Sequence, residues 1–312
     1  FDANPYHDAG VRGAGQVLYV LDDGLSLDAA DLSDTSTSTG TPGPGHRKVI
    51  NYITTAGFGG TGDLSACDAP AQGGFTHGHF VSAAAVGNAS FDDKTFVATD
   101  LNGNTWNQIG VAPDGKVAFY DGLITPAIGA CGDPMIGLLD TGMLWDGADG
   151  GSLENAYDSF GARTFITPFG ENVNTYDPFA TEIDEFLNEH REAALIVPSG
   201  NNGMDADADG IADPGTVQKL ATAKNAITIG ASGSPDDWGA AGNVNDLERA
   251  GFSGTGPAGA TNRISPILVA PGQERGATGV NAEYACRSQD NDNGGSVVCD
   301  QVSTKAGTSF AG

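Results

Sequence analysis

Short apolar runs that end in glycine or polar residues are the feature that most restricts how this sequence can fold. Residues 16–21, 194–197 and 226–232 are almost continuously apolar, as is typical of strands buried on both faces of a parallel sheet. Between such runs, residues 179–191 carry apolar side chains at helical spacing, which predicts an amphipathic helix. Strands that alternate with helices predict an α/β fold with a mostly parallel central sheet flanked by helices.

Two of these runs lead into side chains suited to catalysis. Open α/β sheets place their active sites beyond the carboxyl ends of their strands, and Asp22 follows directly after the first run. The alternative for Asp22 is a plain turn, since Asp-Gly pairs form turns readily. The run 194–197 leads into a Gly-rich turn with Asn201, whose side-chain amide could donate to a developing oxyanion. The alternative is again an ordinary Asn-Gly turn.

A helix of small residues is predicted to begin at His77. Its small side chains would let the helix lie close to the sheet, so that the backbone holds His77 near a strand end. The alternative is a solvated or core histidine. A metal pair with His79 is disfavoured, because residues two positions apart do not share a helix face.

Ser309 is the candidate nucleophile. It follows Gly307-Thr308 and precedes small residues, as expected where a serine opens a buried helix whose N-terminal N–H groups can face an oxyanion. Taken alone, this motif also occurs in ordinary turns.

The four side chains follow one another in a known order. Asp before His before Ser is the chain order of subtilisin, and this sequence resembles the subtilisin-like serine peptidases over almost its full length. Segments 221–230 and 168–170 are most similar to the large alkaline subtilases of the KP-43 type. The resemblance implies a three-layer subtilisin-like α/β fold. Its other connecting motifs are residues 110–113, 252–257 and 269–272.

The resemblance also implies a role for each residue. Ser309 would be the nucleophile, His77 the general base and then acid, and Asp22 the group that orients the imidazole. Asn201 and the backbone N–H of Ser309 would bind the oxyanion. The pocket for the substrate side chain before the scissile bond would be lined by Pro168, Phe169, Gly170, Pro198, Ser199 and Gly200.

An acidic loop predicts a structural Ca²⁺ site. Acids at alternate positions, with Gly210 at the sixth, follow the calcium-loop pattern, but Thr216 stands where that pattern has a bidentate Glu. The alternative is a solvated acidic loop, and residues 290–293 are a second, weaker candidate. The predicted ligands are Asp205, Asp207, Asp209 and Asp213.

Composition limits the partners and the compartment. A net charge of −26 with 14 basic residues argues against nucleic acid, and the absence of any apolar run of about 18 residues argues against a membrane span. No cysteines form a C-x-x-C pair, which disfavours zinc. We expect disulfides Cys286–Cys299 and Cys67–Cys131, and hence a secreted, extracellular protein; the alternative is four free buried thiols.

The domain organisation follows from the resemblance. We expect residues 1–312 to be one catalytic domain that is truncated just after Ser309, with the remaining helix supplied by a continuation of the chain beyond Gly312. The expected substrate is a protein or peptide. One alternative is a catalytically silent pseudo-peptidase, which only the short segment after Ser309 and the His79-Phe80 pair favour. The other is a calcium-dependent structural or binding domain.

Overall fold

The structure is a computed structural model that describes most, but not all, of the chain. Cys67, Cys131 and Cys299 lie outside the described part, as do residues 290–293, so both disulfides and the second calcium candidate stay predictions. The described residues are 5–22, 24–25, 27, 29–54, 77–91, 94–95, 97–99, 105–107, 109–121, 144–147, 150–209, 212–234, 249–259, 262–274, 283–287 and 301–312.

The described elements alternate between strands and helices. The α-helices are α1 (Pro5–Asp8), α2 (His77–Val86), α3 (Ser152–Phe160) and α4 (Pro178–Glu189). The strands are β1 (Val17–Asp22), β2 (Val49–Thr54), β3 (Ser90–Phe91), β4 (Lys94–Thr95), β5 (Val97–Thr99), β6 (Thr105–Asn107), β7 (Lys116–Asp121), β8 (Thr164–Ile166), β9 (Ala194–Pro198), β10 (Ile227–Ser234), β11 (Leu268–Glu274), β12 (Glu283–Arg287) and β13 (Gln301–Lys305). Among the described helices, none has the length and apolar character to cross a membrane.

Parallel strands form the sheet in each part of the molecule, and the predicted mostly parallel α/β fold is confirmed. The chain divides into two compact units. In the first unit the strand order is β1-β7-β2, and in the second it is β11-β10-β9-β8. The neighbouring strands within each unit pair in parallel. The units comprise Phe1–Met143, Asn155–Arg163 and Tyr284–Ser303 in the first, and Leu144–Glu154, Thr164–Glu283 and Thr304–Gly312 in the second.

Close packing of α2 on the sheet organises the first unit. The predicted helix of small residues is confirmed, and most of its residues are buried. A Cβ on Gly78 would lie 2.7 Å from Cζ of Phe119 and 2.8 Å from Cβ of Asp22. Such distances are sterically impossible, so only glycine lets the start of α2 approach the ends of β1 and β7 this closely.

Capping and an apolar face account for α4 in the second unit. The side chain of Asp177 accepts from Ala180 N at 3.0 Å, and proline occupies the first turn, both of which favour a helix start. Ile183 and Phe186 are fully buried, and the Phe186 ring packs edge-on against Phe165 of β8 at 5.1 Å. The helix predicted over 179–191 is therefore present, with slightly different ends.

Candidate active site

The predicted catalytic residues fall into two groups, one in each unit. Asp22 and His77 belong to the first unit, and Asn201 and Ser309 to the second. The two residues of each group are far apart in the sequence. Asp22 and Asn201 lie at or just after the carboxyl ends of strands, and His77 and Ser309 lie at the starts of helical segments.

In the first unit, Asp22 and His77 form a hydrogen-bonded pair. Asp22 is the last residue of β1 and His77 the first of α2. His77 Nδ1 lies 2.7 Å from Asp22 Oδ2, and the carboxylate is 1% exposed while the imidazole is 28% exposed. Donation from Nδ1 to this buried carboxylate selects the tautomer in which Nε2 is the basic nitrogen. The pair therefore has the arrangement of a histidine base oriented by an acid.

In the second unit, Ser309 lies in a 3₁₀ turn, Thr308–Phe310, packed against β9, β10 and β11. The sequence predicted the opening of an α-helix here. The backbone N–H groups of Phe310 and Ala311 bond to carbonyls three residues back, as in a 3₁₀ turn, instead of four. The buried Ser309 hydroxyl donates to Pro168 O at 2.7 Å.

Asn201 lies beside the serine segment. Its Oδ1 accepts from Thr308 N at 2.8 Å and from Thr308 Oγ1 at 3.0 Å. Because the Thr308 backbone N–H can only donate, the atom that it meets is the amide oxygen, and Nδ2 is the other terminal atom of the amide. A Cβ on Gly307 would be 3.5 Å from Nδ2, so the amide N–H₂ lies next to the serine turn. The sequence did not predict that Thr308 positions Asn201. The only feature of the sequence that could have suggested it is the Thr308 hydroxyl.

The two predicted pocket segments, 168–170 and 198–200, are joined by Gln218. Its Nε2 donates to Phe169 O at 3.2 Å and to Pro198 O at 2.6 Å, and its backbone N–H donates to Ser199 O at 2.8 Å. A Cβ on Gly170 would lie 2.7 Å from Cδ of Gln218. Gln218 therefore fills the space between the segments. Sequence reasoning missed it, since a glutamine outside any motif carries no local signal.

Gly200 adopts a backbone conformation that suits glycine. Its φ is +98°, a value that residues with a Cβ rarely adopt. A Cβ there would also lie 3.1 Å from Cβ of Gln218. The turn after β9, which leads to Asn201, therefore depends on glycine at this position.

The acidic loop brings three of its four predicted ligands together. One carboxylate oxygen from each of Asp205, Asp207 and Asp209 lies within 4.8 Å of the others, and all three residues are exposed. Asp213 Oδ2 instead accepts from Ala206 N at 2.9 Å, and Asp213 is not in the group of three.

Thr216, at the twelfth position of the calcium-loop pattern, makes contacts elsewhere. Its Oγ1 accepts from Thr255 N at 2.9 Å and lies 3.1 Å from Thr255 Oγ1. These bonds hold the hydroxyl against the segment around Thr255, so it does not take the place of the missing glutamate.

Two solved protease structures have a similar fold. The chain is similar to the CspB protease of Clostridium perfringens, with a TM-score of 0.58, 11% identity, and coverage of 98% of this chain and 82% of that one. It is also similar to fervidolysin from Fervidobacterium pennivorans, a keratinolytic enzyme related to subtilisin, with a TM-score of 0.55 and 18% identity. That alignment covers 99% of this chain but 36% of fervidolysin. At these identities the likeness shows the fold alone.

The family follows from the sequence match. None of the curated proteins matches this sequence. Residues 13–312, nearly the whole chain, match the subtilase family. The chain therefore belongs to the subtilase family of serine peptidases.

Proposed function

We propose that this chain is the catalytic domain of a secreted serine endopeptidase that cleaves protein or peptide substrates through an acyl-enzyme. A subtilase-family fold supports serine peptidase activity. The single observation that carries the proposal further is the 2.7 Å bond between His77 Nδ1 and Asp22 Oδ2, because it is the base-and-acid pair that activation of a serine hydroxyl requires.

The proposed mechanism assigns each group a step. Ser309 Oγ gives up its bond to Pro168 O and attacks the scissile carbonyl carbon while His77 Nε2 takes its proton. Asp22 stabilises the imidazolium that forms. The oxyanion accepts hydrogen bonds from Asn201 Nδ2 and the backbone N–H of Ser309. His77 then gives the proton to the leaving amine, and water hydrolyses the acyl-enzyme by the same steps.

We place the substrate side chain before the scissile bond between segments 168–170 and 198–200. What supports this is their position next to Ser309, whose hydroxyl touches Pro168 O, and their tie through Gln218. Gln218 occupies part of the space between Gly170 and Gly200. The pocket therefore favours small side chains over large ones in this proposal.

A structural Ca²⁺ is part of the proposal. Asp205, Asp207 and Asp209 offer carboxylate oxygens, which are the ligands that Ca²⁺ prefers. Because these oxygens lie within 4.8 Å of one another, the carboxylates repel one another, and a bound cation would offset that repulsion. The expected disulfides and the likeness of segment 221–230 to KP-43-type subtilases fit an extracellular, calcium-binding enzyme.

Covalent labelling tests the proposed function. A fluorophosphonate probe should form one adduct on Ser309 in the folded protein, with any continuation of the chain present, and Ser309→Ala should abolish both the adduct and the cleavage of a peptide substrate. Thr37→Ala, an exposed hydroxyl in the first unit, is the matched control and should label normally. A folded protein that forms no adduct would instead support a silent pseudo-peptidase.

A further inference from the structure

Two buried carboxylates lie side by side at the carboxyl ends of β1 and β7. Asp22 and Asp121 are in register as the last residues of these parallel strands. Neighbouring strands lie roughly 4.8 Å apart, and paired residues direct their side chains to the same face. Asp22 is 1% exposed and Asp121 2% exposed. The acid that orients His77 therefore has a second acid as its neighbour.

The face that carries both acids is the one covered by α2. Phe119, two residues before Asp121, shares its face, and a Cβ on Gly78 of α2 would meet both the Phe119 ring and Cβ of Asp22. On the far side of β7, Tyr52 of β2 pairs with Phe119 in register. Their rings lie 5.3 Å apart. These contacts place Asp121 under the start of the helix that carries His77.

Tyr52 provides a hydrogen-bond donor to Asp121. The Tyr52 hydroxyl donates to Asp121 Oδ2 at 2.8 Å, and Tyr52 is largely buried. Burial and the neighbouring Asp22 carboxylate disfavour the ionised form of Asp121, whereas a donated hydrogen bond favours it. The Tyr52 bond is therefore the contact that supports a negative charge on Asp121.

Three titratable groups of the described residues connect Asp121 to the histidine. Asp22 on β1 pairs with Asp121 in register, Tyr52 on β2 donates to it, and His77 on α2 is bonded to Asp22. His79, next on α2, lies 3.8 Å from Asp31 and so belongs to another pair. Of these three groups, His77 is the one that gains positive charge.

We propose that Asp121 is a positioning residue that acts through Asp22 to stabilise the protonated form of His77. This rests on the proposed function, in which His77 becomes an imidazolium when it takes the Ser309 proton. A buried carboxylate one strand away is poorly screened by solvent and lowers the energy of that cation by Coulomb attraction. Its negative charge also favours the Asp22 rotamer that accepts from His77 Nδ1 over one that turns toward β7.

The test removes the charge and keeps the shape. In Asp121→Asn, the side-chain oxygen can still accept from Tyr52, so the fold is retained. The midpoint of the His77 titration, followed by NMR of the imidazole and assigned with His77→Gln, should fall by about 0.5–1 pH unit, the size expected for loss of one nearby, partly screened charge. The acidic limb of kcat/KM should move down by the same amount.

The control removes an equal charge elsewhere. Asp158 is exposed on α3, and Asp158→Asn should leave the His77 midpoint within about 0.2 pH unit because exposed charges are screened. An unchanged midpoint in folded Asp121→Asn would overturn the proposal, since a merely structural role predicts only a lower melting temperature. If that variant does not fold, Asp121→Ser supplies the same loss of charge.

The titration also separates the two proposals. NMR reports on His77 whether or not the protein cleaves peptides. If the unsubstituted protein is not labelled by the fluorophosphonate but the His77 midpoint falls as expected in Asp121→Asn, only the peptidase proposal is refuted. If labelling is normal but the midpoint does not fall, only the role of Asp121 is refuted.

Discussion

At the scale of single residues, the hydrogen bonds of the folded protein require His46 to be neutral. It is 2% exposed, its Nδ1 accepts from the backbone N–H groups of Lys48 and Val49, and its Nε2 donates to Thr39 O. A proton on Nδ1 would break both accepted bonds. Burial in this position lowers the pKa of His46 below its ordinary value.

This arrangement predicts a loss of stability in mild acid. Because the folded pKa of His46 lies below the unfolded value of about 6.5, only the unfolded chain binds the proton just below pH 6.5, and the free energy of unfolding falls as the pH drops from there toward the folded pKa. Urea denaturation between pH 5 and 7 measures this, with a slope of up to about 1.4 kcal/mol per pH unit.

The matched variant is His46→Asn, whose side-chain oxygen can accept as Nδ1 does but does not titrate. Its stability should depend less on pH in that window, and equal slopes in the two proteins would refute the prediction. Burial lowers the pKa of Lys48 to about 7. The linkage from Lys48 therefore lies mainly between pH 7 and its ordinary pKa of 10.5, above most of this window.

At the scale of elements, the ends of β8 and β9 are joined by a side chain from a loop. Gln218 donates to Phe169 O, shortly after β8, and to Pro198 O, at the last residue of β9, and it is 3% exposed. Two buried bonds from one amide hold the walls of the proposed pocket at a set separation. They also use up the amide's donors, so its body acts as a spacer between Gly170 and Gly200.

Replacing this side chain should widen the proposed pocket. We expect Gln218→Ala to raise kcat/KM for peptides with Phe before the scissile bond relative to peptides with Ala by about tenfold, the scale on which pocket size discriminates. Stability should fall by about 1–3 kcal/mol, because two carbonyls lose their donor. Gln16→Ala, at an exposed position, should change neither quantity. An unaltered Phe-to-Ala ratio in folded Gln218→Ala would count against the pocket.

At the scale of the whole molecule, the excess of acidic residues means that cation binding should stabilise the fold. The net charge is −26, and self-repulsion on that scale destabilises a compact state. The three exposed aspartates of the acidic loop concentrate part of this charge within 4.8 Å. A cation held there by the folded chain and not by the unfolded chain stabilises the fold by mass action.

Calcium should therefore raise the melting temperature. At a concentration about a hundred times the dissociation constant the gain is about 2.7 kcal/mol, and a chelator should remove it. Mg²⁺ at equal ionic strength should do less, because it demands a tighter octahedral site. Asp207→Asn should abolish the response while Asp158→Asn retains it. A melting temperature that changes with neither calcium nor chelator would contradict the proposed calcium site.

Much of the architecture could be predicted from the sequence, because apolar periodicity, glycine and capping residues act locally. The strand from 194 and the helix near 179–189 follow from such patterns. The small residues after His77 likewise predicted the close-packed helix α2. The order of four catalytic motifs identified the family, which the match over 13–312 confirms.

The sequence by itself determined the mostly parallel sheet and the family, and it supplied the residues to which the proposed chemistry is assigned. Only the tertiary structure decided which polar groups meet: Gln218 between Phe169 and Pro198, Asp121 beside Asp22, and Asp213 on its own loop backbone instead of with the other acids. These contacts depend on strand register and on how a loop closes. Most of them join residues 20 to 141 positions apart, as for Pro168 and Ser309, which no local pattern specifies.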